Sequence, residues 1–359
     1  MRTAVLSDLH LGASGGDDLV RHPEALDRLL AALDGAERVV FLGDMLELRE
    51  RPLAPLLGEV RPVFEGLRET LADKRVTLVP GNHDHALAEP WLARRRLAGG
   101  TLRSEHEWPV APGTADGPAG VIASWLRGAE VTLAYPGLQL APGVYASHGH
   151  YLDVHLTIPR LESIAASAMG RFTGRGASCE SADDFEAVLA PLYGFYAGLV
   201  QGASSTALER GAGLSRTVWS QVTGDSRVGR VLLGRVAIPA AVAALNRMGL
   251  GPFKPELTGP ELRRAGLLAM GRVVDALAPG AEHVLFGHTH RPGPLPDDER
   301  PEWTTPSGAR LWNTGNWYLE PTFVTDRAER SPYWPGTIIW VEPGTEPRID
   351  NALRGYAPA

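Results

Sequence analysis

Short apolar runs, each followed by polar residues, recur along the chain and predict buried strands. Five runs matter most because Asp, Asn or His follows each of them within a few positions. Such runs are typical of strands covered on both faces, and open α/β sheets place their binding sites at the strand ends. We therefore expect the polar side chains to gather at one edge of the fold. The five runs cover residues 4–6, 39–42, 76–79, 144–146 and 284–286.

Helices are predicted between these strands. Leucines at helical spacing predict a helix near 24–34, and others are expected near 63–72 and 89–98, with a proline-containing loop before the second. From 101 to 148, proline and glycine break the chain into short segments that favour strands. The predicted strands cover residues 2–8, 38–44, 76–80, 119–124, 130–134, 138–141, 144–147, 283–287, 310–314 and 337–342.

The residue types after the strands point to a metal centre. Carboxylates suit hard divalent cations, and neutral imidazoles suit Mn, Fe, Co and Zn. The set contains no cysteine, which disfavours a structural zinc finger. Two adjacent ions could share a water and neutralise a phosphoryl group. The motifs are Asp8-Leu9-His10, Gly43-Asp44-Met45-Leu46-Glu47, Gly81-Asn82-His83-Asp84, His148-Gly149-His150 and Gly287-His288-Thr289-His290.

In type, spacing and order these motifs resemble those of the calcineurin-like metallophosphoesterases: D-x-H, GD-x-x-D/E, GNH-D/E, HG-H/D and GH-x-H. The resemblance implies an α/β (α+β) fold, a four-layer αββα sandwich of two mixed sheets. It also implies two divalent metal ions, with Mn favoured and Fe, Zn or Co possible. One ion would be held by Asp8, His10, Asp44 and His290, and the other by Asp44, Asn82, His148 and His288, with Asp44 bridging.

The resemblance also assigns His83 as the general acid that protonates the leaving group. Glu47 and Asp84 are expected to orient imidazoles, while His150 would either support the ligands from behind or face the substrate. Each residue also has a simpler interpretation: aspartates cap turns, Asn82 fits a left-handed turn, and single histidines occur in cores. The two histidines of the last motif alternate in sequence, so an extended segment would present both on one face.

The interval between His148 and His288 departs from the family's short form and predicts a helical insertion over 151–280. A catalytic domain would then comprise 1–150 and 281–359. Helices are expected at 158–170, 183–201, 228–248 and 260–277. The simplest interpretation is a cap that shields the site. Alternatively, residues 210–247, with six arginines and one acidic residue, could contact an anionic membrane surface or a lipid substrate.

These observations predict hydrolysis of a phosphoester by a hydroxide that bridges two metals. One alternative is a pyrophosphohydrolase acting on a lipid-linked or nucleotide-sugar substrate at the membrane surface. The chain faintly resembles the UDP-diacylglucosamine pyrophosphohydrolases, but these carry arginine where His83 stands. A second alternative is a non-catalytic scaffold with the same fold.

Composition limits the kinds of binding partner and the cellular compartment that we expect for the protein. A net charge of −7 argues against extensive nucleic-acid binding. The only cysteine is Cys179, which excludes an intrachain disulfide and fits a reducing compartment. A strand that starts at Arg2 or Thr3 would leave no room for a signal peptide. We expect a cytoplasmic protein with a phosphorylated small-molecule or lipid substrate, in contact with a membrane if the alternative for 210–247 holds. The sequence does not indicate an oligomeric state.

Overall fold

The computed structural model describes residues 1–13, 15–175, 179–202, 238–254, 258–319, 324 and 331–357. The chain divides into two compact units. The first comprises Met1–His150 and Leu277–Ala359, and the second comprises Tyr151–Ala276. The interpretation of the second unit as a cap over the site stays a prediction.

Strands within the described residues form one sheet of seven and one of four strands, both in the first unit. The order in the larger sheet is β11-β10-β1-β2-β3-β5-β4, and that in the smaller sheet is β6-β7-β8-β9. The strands are β1 (Thr3–Leu6), β2 (Arg38–Leu42), β3 (Arg75–Val79), β4 (Glu107–Pro109), β5 (Glu130–Ala134), β6 (Gly137–Ala141), β7 (Val144–Ser147), β8 (His283–Phe286), β9 (Arg310–Asn313), β10 (Thr337–Val341) and β11 (Arg348–Asn351).

Both sheets are mixed. In the larger sheet β1, β2, β3 and β5 run parallel, and the outer strands β4, β10 and β11 pair antiparallel with their neighbours. In the smaller sheet β7, β8 and β9 run parallel, and β6 pairs antiparallel with β7. The central strands are apolar over nearly their whole length because both of their faces are covered. The predicted fold class, with two mixed sheets and helices, is confirmed.

The main core contains side chains from both sheets. Val5, Val40 and Ile339 of the larger sheet belong to the same buried cluster as Leu285 and Trp312 of the smaller one. Burial of these side chains provides the main apolar stabilisation between the sheets. This packing holds the ends of β1, β2, β3, β7 and β8 on one rigid support.

Helices predicted from periodicity are mostly present, with two corrections. α2 begins at Leu53, where a proline-containing loop was predicted up to residue 62, and Pro62 lies inside the helix. The buried face of Leu56, Val60 and Phe64 explains why this helix tolerates a proline. The helices are α1 (Pro23–Leu33), α2 (Leu53–Leu71), α3 (Glu89–Leu97), α4 (Gly117–Trp125), α5 (Leu161–Thr173), α6 (Ala182–Gly202), α7 (Ile238–Arg247) and α8 (Gly259–Leu277).

The second correction concerns residues 119–124, which were predicted as a strand and lie within α4. A short apolar run does not distinguish a strand from a buried helix. Pro118 lies in the first helical turn, where its missing N–H has no intrahelical partner to lose. Neither β4 nor β11 was predicted, because both are short and partly exposed.

The described part of the second unit is mainly helical, in agreement with its periodic sequence. Phe185 of α6 is fully buried and stacks on Tyr151 with ring centroids 4.8 Å apart, while the Tyr151 hydroxyl donates to Glu186 Oε1 at 2.9 Å. Of the helix predicted at 228–248, residues 238–248 fall within the described residues, and α7 covers 238–247 of them. Most of the segment 210–247 therefore lies outside the described residues. Among the described helices, none has the length and apolarity needed to cross a membrane.

Candidate metal centre

The loops that follow the strands are joined by backbone hydrogen bonds. The amide of Asp8 donates to the carbonyl of Gly43 at 3.0 Å, and that of His10 donates to Asp44 at 2.9 Å. In the smaller sheet the amide of Gly287 donates to the carbonyl of His148 at 2.8 Å. The parallel strands β1 and β2 end at the same edge, so these bonds fix their polar tips beside each other.

Five non-glycine residues of the motifs have a left-handed backbone. Such φ values are uncommon outside glycine, although Asp and His adopt them more readily than most residues. They persist only where the surrounding structure enforces them, and they are concentrated at functional sites. The φ values are 54° for Asp8, 44° for His10, 50° for Asp44, 66° for His288 and 60° for His290.

Two glycines of the motifs are required by close approach. A Cβ at Gly43 would lie 2.2 Å from Nδ1 of His148, and a Cβ at Gly81 would lie 2.3 Å from Oδ1 of Asp44. Both distances are far below van der Waals contact. Space therefore explains the glycines of these motifs, because the backbone of one loop touches the polar side chains of another.

One group of candidate ligands comprises Asp8, His10 and His290, whose ligand atoms all lie within 4.8 Å of one another. Nε2 of His290 is 3.3 Å from Oδ1 of Asp8 and 3.2 Å from Nε2 of His10. Oδ2 of Asp44 lies 4.0 Å from Nε2 of His10. The four residues predicted for one metal are thus brought together.

A second group comprises Asp44, His148 and His288, again within 4.8 Å. Oδ2 of Asp44 is 3.1 Å from Nε2 of His148. The side-chain amide of Asn82 completes the group. One of its two terminal atoms faces the centre and lies 3.0 Å from Nδ1 of His288 and 3.2 Å from Oδ2 of Asp44. Asp44 adjoins both groups, as a bridging carboxylate must.

Hydrogen bonds behind the imidazoles leave the opposite ring nitrogens facing the centre. Nδ1 of His10 is 2.8 Å from Oε2 of Glu47, and Nδ1 of His148 is 2.9 Å from the carbonyl oxygen of Leu42. Partners of this kind fix the tautomer and the orientation of metal-binding histidines. The donor set of carboxylates, imidazoles and one amide therefore fits two divalent ions.

His83 lies beside these groups and is more exposed than they are. Its backbone amide donates to Oδ1 of Asp44 at 2.8 Å, and its Nδ1 is 2.8 Å from both carboxylate oxygens of Glu47. Nε2 is 4.0 Å from Oδ2 of Asp44. The side chain is 22% exposed, whereas that of His148 is fully buried. Glu47 therefore contacts both a candidate ligand and the candidate proton donor.

The electrostatics of the centre are those of buried carboxylates among imidazoles. Burial opposes the charge of Asp44, but the charges of His148 and His83 hold its pKa well below the usual value. Burial likewise opposes the charge of His10, but the hydrogen bond to Glu47 and the carboxylate charges raise its pKa to about 9. The carboxylates hold protons on the imidazoles that a metal ion would displace, so metal binding should release protons.

The surroundings of Asp84 and His150 bear on the roles that were predicted for them. Asp84 was expected to orient an imidazole, but its carboxylate accepts hydrogen bonds from backbone amides, including those of Gly81 at 2.7 Å and Met45 at 2.8 Å. Burial and the charge of Asp44 raise the pKa of Asp84 to about 6. His150 is buried beside His148, with ring centroids 5.6 Å apart. His150 is thus buried next to a candidate ligand, and both of its alternative roles stay predictions.

The segment after β9 supports the centre in a way that the sequence did not reveal. Nδ2 of Asn316 donates to the carbonyl of His290 at 2.7 Å, and the amide of Trp317 donates to the carbonyl of Asp8 at 3.0 Å. The hydroxyls of Ser7 and Thr314 are 2.6 Å apart. The only signal was the turn-like Asn-Thr-Gly-Asn sequence of 313–316. Arg49, beside His83, was also missed.

The comparisons with known proteins agree with this site. The family model for calcineurin-like phosphoesterases matches residues 1–172, which include the first four motifs. This part of the chain matches the calcineurin-like phosphoesterase family, and the resemblance predicted from the motifs is confirmed. The protein is a metal-dependent phosphoesterase, a hydrolase for which the family implies two divalent metal ions and a phosphorylated substrate.

No curated protein matches the chain significantly. Among solved structures, the chain is similar to a dimetal phosphatase from Danio rerio, with 12% identity, a TM-score of 0.34, and coverage of 98% of this chain and 99% of that one. It is also similar to a point mutant of a cold-active protein tyrosine phosphatase, with 14% identity, a TM-score of 0.29, and coverage of 98% and 78%. TM-scores this low carry no argument about fold or function.

Proposed function

We propose that the protein hydrolyses a phosphoester by attack of an activated water, with His83 as the general acid. The observation that carries this proposal is the position of His83. Its Nε2 lies 4.0 Å from Oδ2 of Asp44, the carboxylate shared by both ligand groups, while its Nδ1 is held by Glu47. Ions held by this carboxylate would attract the phosphoryl group of the substrate to a position near Nε2.

The two ligand groups would hold the ions. Asp8, His10, Asp44 and His290 would bind one, and Asp44, Asn82, His148 and His288 would bind the other. When bound, two divalent ions neutralise the oxygens of the phosphoryl group and lower the pKa of a water at the centre. The mixed carboxylate and imidazole set suits Mn, which we propose first, and also accepts Fe, Zn or Co.

Glu47 and His83 act together in the proton transfer. The carboxylate accepts the hydrogen bond of the Nδ1–H group, so Nε2 is the nitrogen that faces the centre. The imidazolium form of His83 can donate the Nε2 proton to the departing oxygen. Donation regenerates the neutral imidazole, and solvent restores the proton after the products leave.

The alternative function, the proposed membrane contact and the proposed location are supported to different degrees. A scaffold without activity would tolerate loss of ligands, but both ligand groups and His83 are complete among the described residues. Contact of residues 210–247 with a membrane rests on the sequence alone, because most of that segment lies outside the described residues. A cytoplasmic location likewise remains our proposal, supported by the single cysteine.

The test separates proton donation from metal binding. Without a proton, an alkoxide departs poorly, whereas a nitrophenolate departs readily. We expect His83→Ala to keep its metals and to lose about 10²–10⁴-fold in kcat on alkyl phosphoesters, with a much smaller loss on nitrophenyl esters. The matched control is His106→Ala, which removes an imidazole outside the centre. Equal losses on both kinds of ester would assign His83 to binding the phosphoryl group.

A further inference from the structure

A buried pair of hydroxyl groups adjoins the carboxylate of Asp8. Ser7 is the first residue after β1, and its hydroxyl donates to Oδ2 of Asp8. Thr314 is the first residue after β9, and its hydroxyl oxygen lies 2.6 Å from that of Ser7. All three residues are fully buried, so bulk water does not compete for these contacts. One side of the Asp8 carboxylate is therefore occupied by a group of the protein.

The chemistry of these groups fixes the direction of both hydrogen bonds. An ionised carboxylate only accepts, and a hydroxyl has a single hydrogen to donate. Ser7 therefore gives its hydrogen to Asp8, and its short contact with Thr314 requires the Thr314 hydroxyl to donate to Ser7. The carbonyl oxygen of Phe286, 3.1 Å from the threonine oxygen, is the more distant acceptor. The result is a chain of donors that runs from Thr314 through Ser7 to Asp8.

The other oxygen of the carboxylate faces the candidate metal ligands. Oδ1 of Asp8 lies 3.3 Å from Nε2 of His290 and 3.9 Å from Nε2 of His10. The backbone amide of His288 is 3.2 Å from both carboxylate oxygens, so it does not distinguish them. The hydroxyl of Ser7 does, because its hydrogen bond goes to Oδ2. Oδ1 is thereby left as the oxygen that faces the centre.

We propose that Ser7 and Thr314 are positioning residues that restrict Asp8 to binding a metal ion through Oδ1 alone. This inference rests on the metal-binding part of the proposed function. The carboxylate cannot turn both oxygens towards an ion without losing the buried hydrogen bond to Ser7, and such a loss is costly. The restriction also affects the choice of metal, because Ca²⁺ takes more oxygen ligands than smaller ions and accepts both oxygens of one carboxylate.

Calorimetric titration of the metal-free protein with Mn tests the role of Ser7. Asp8 belongs to only one of the two ligand groups around the shared carboxylate. Ser7→Ala should therefore weaken one of the two Mn equivalents by roughly 10–100-fold and leave the other near its original affinity. Affinity for Ca²⁺ at the same step should fall less, because the released oxygen becomes available to the larger ion. A residue needed only for packing would weaken the binding of both metals alike.

Thr314→Val tests the outer donor and keeps the shape of the side chain. The Ser7 hydroxyl would still reach Asp8, but it could also turn towards the carbonyl oxygen of Gly315, 3.4 Å away. We therefore expect a smaller loss of Mn affinity than for Ser7→Ala. Because Thr314 acts through Ser7, the double variant should bind Mn no more weakly than Ser7→Ala alone. Additive losses would overturn the proposal.

Ser147→Ala is the matched control. Ser147 is a buried serine at the end of β7, directly before the candidate ligand His148, and its hydroxyl has no hydrogen-bond partner among the described residues. Both Mn affinities should survive this change. The proposal fails if Ser7→Ala behaves like Ser147→Ala, or if it weakens both Mn equivalents or both metals equally. The expected shift, in a protein whose unmodified form cleaves no phosphoester, would support this inference and overturn the proposed function.

Discussion

At the scale of single residues, Glu47 is the buried carboxylate that contacts two histidines of the site at once. It is buried, and its two oxygens contact Nδ1 of His10 and Nδ1 of His83. Burial opposes its charge, but the two imidazoles hold its pKa far below the usual value. One carboxylate therefore orients a candidate ligand and the candidate acid together, so a change at Glu47 should affect metal affinity and proton transfer at once.

Glu47→Gln tests this double role. The amide keeps the shape but lacks the charge, and only one of its two terminal atoms can accept a hydrogen bond. We expect Mn affinity and kcat at saturating Mn each to fall by roughly 10–100-fold. Glu65→Gln, in an exposed helical pair with Arg61, is the control. If only the affinity changes, Glu47 supports the ligand alone and His83 is oriented by other groups.

At the scale of elements, an ion pair between a buried arginine and a partly exposed glutamate joins the edge strand β4 to the sheet. Arg38 of β2 is only 3% exposed, and its Nη2 is 2.9 Å from Oε1 of Glu107 in β4. The hydroxyls of Thr77 in β3 and Thr132 in β5 complete the network. The pair spans four strands, so it joins the centre of the sheet to its edge.

Glu107→Ala should destabilise the fold by roughly 1–3 kcal/mol, because it leaves the buried guanidinium of Arg38 without its carboxylate. Urea unfolding measures this change. Replacing both residues, as Arg38→Met with Glu107→Leu, should recover most of the loss, since a buried pair is often replaceable by apolar side chains. Strictly additive losses from Arg38→Met and Glu107→Leu would show that the pair does not act as a unit.

The elements also show what the sequence could predict. Long buried strands and amphipathic helices were predictable from periodicity, whereas α4 was not, because nine mostly apolar residues fit either class. The candidate ligands were predictable since each follows a strand directly. The position of Arg49 was not, because it depends on how one loop folds onto another. The backbone role of Asp84 was hidden for the same reason.

At the scale of the whole molecule, the first unit concentrates the carboxylates of Asp8, Asp44, Glu47 and Asp84 in one buried centre. Divalent ions bound there would stabilise the folded chain by mass action, because the unfolded chain lacks the assembled site. At 100 times the dissociation constant, one site contributes about 2.7 kcal/mol. The melting temperature should therefore depend on metal concentration.

Chelation followed by titration with Mn checks this linkage by calorimetry. We expect the melting temperature to rise with added Mn for the unmodified chain. Asp44→Asn should lose most of that rise and several orders of magnitude in activity, because the change weakens both ion sites. Asp34→Asn, on the exposed end of α1, should behave like the unmodified chain. A full Mn response in Asp44→Asn would remove Asp44 from its bridging role.

The left-handed backbone at the candidate ligands has a consequence for adaptation. Positions of this kind cost roughly 1–3 kcal/mol each, and Asp8, Asp44, His288 and His290 all carry that cost. Glycine would relieve it at every one of them and would abolish the chemistry. Directed evolution for heat resistance that ignores turnover and is carried out without divalent metal should therefore drift towards glycine at these positions. Variants selected for activity at high temperature must gain their stability from substitutions elsewhere in the chain.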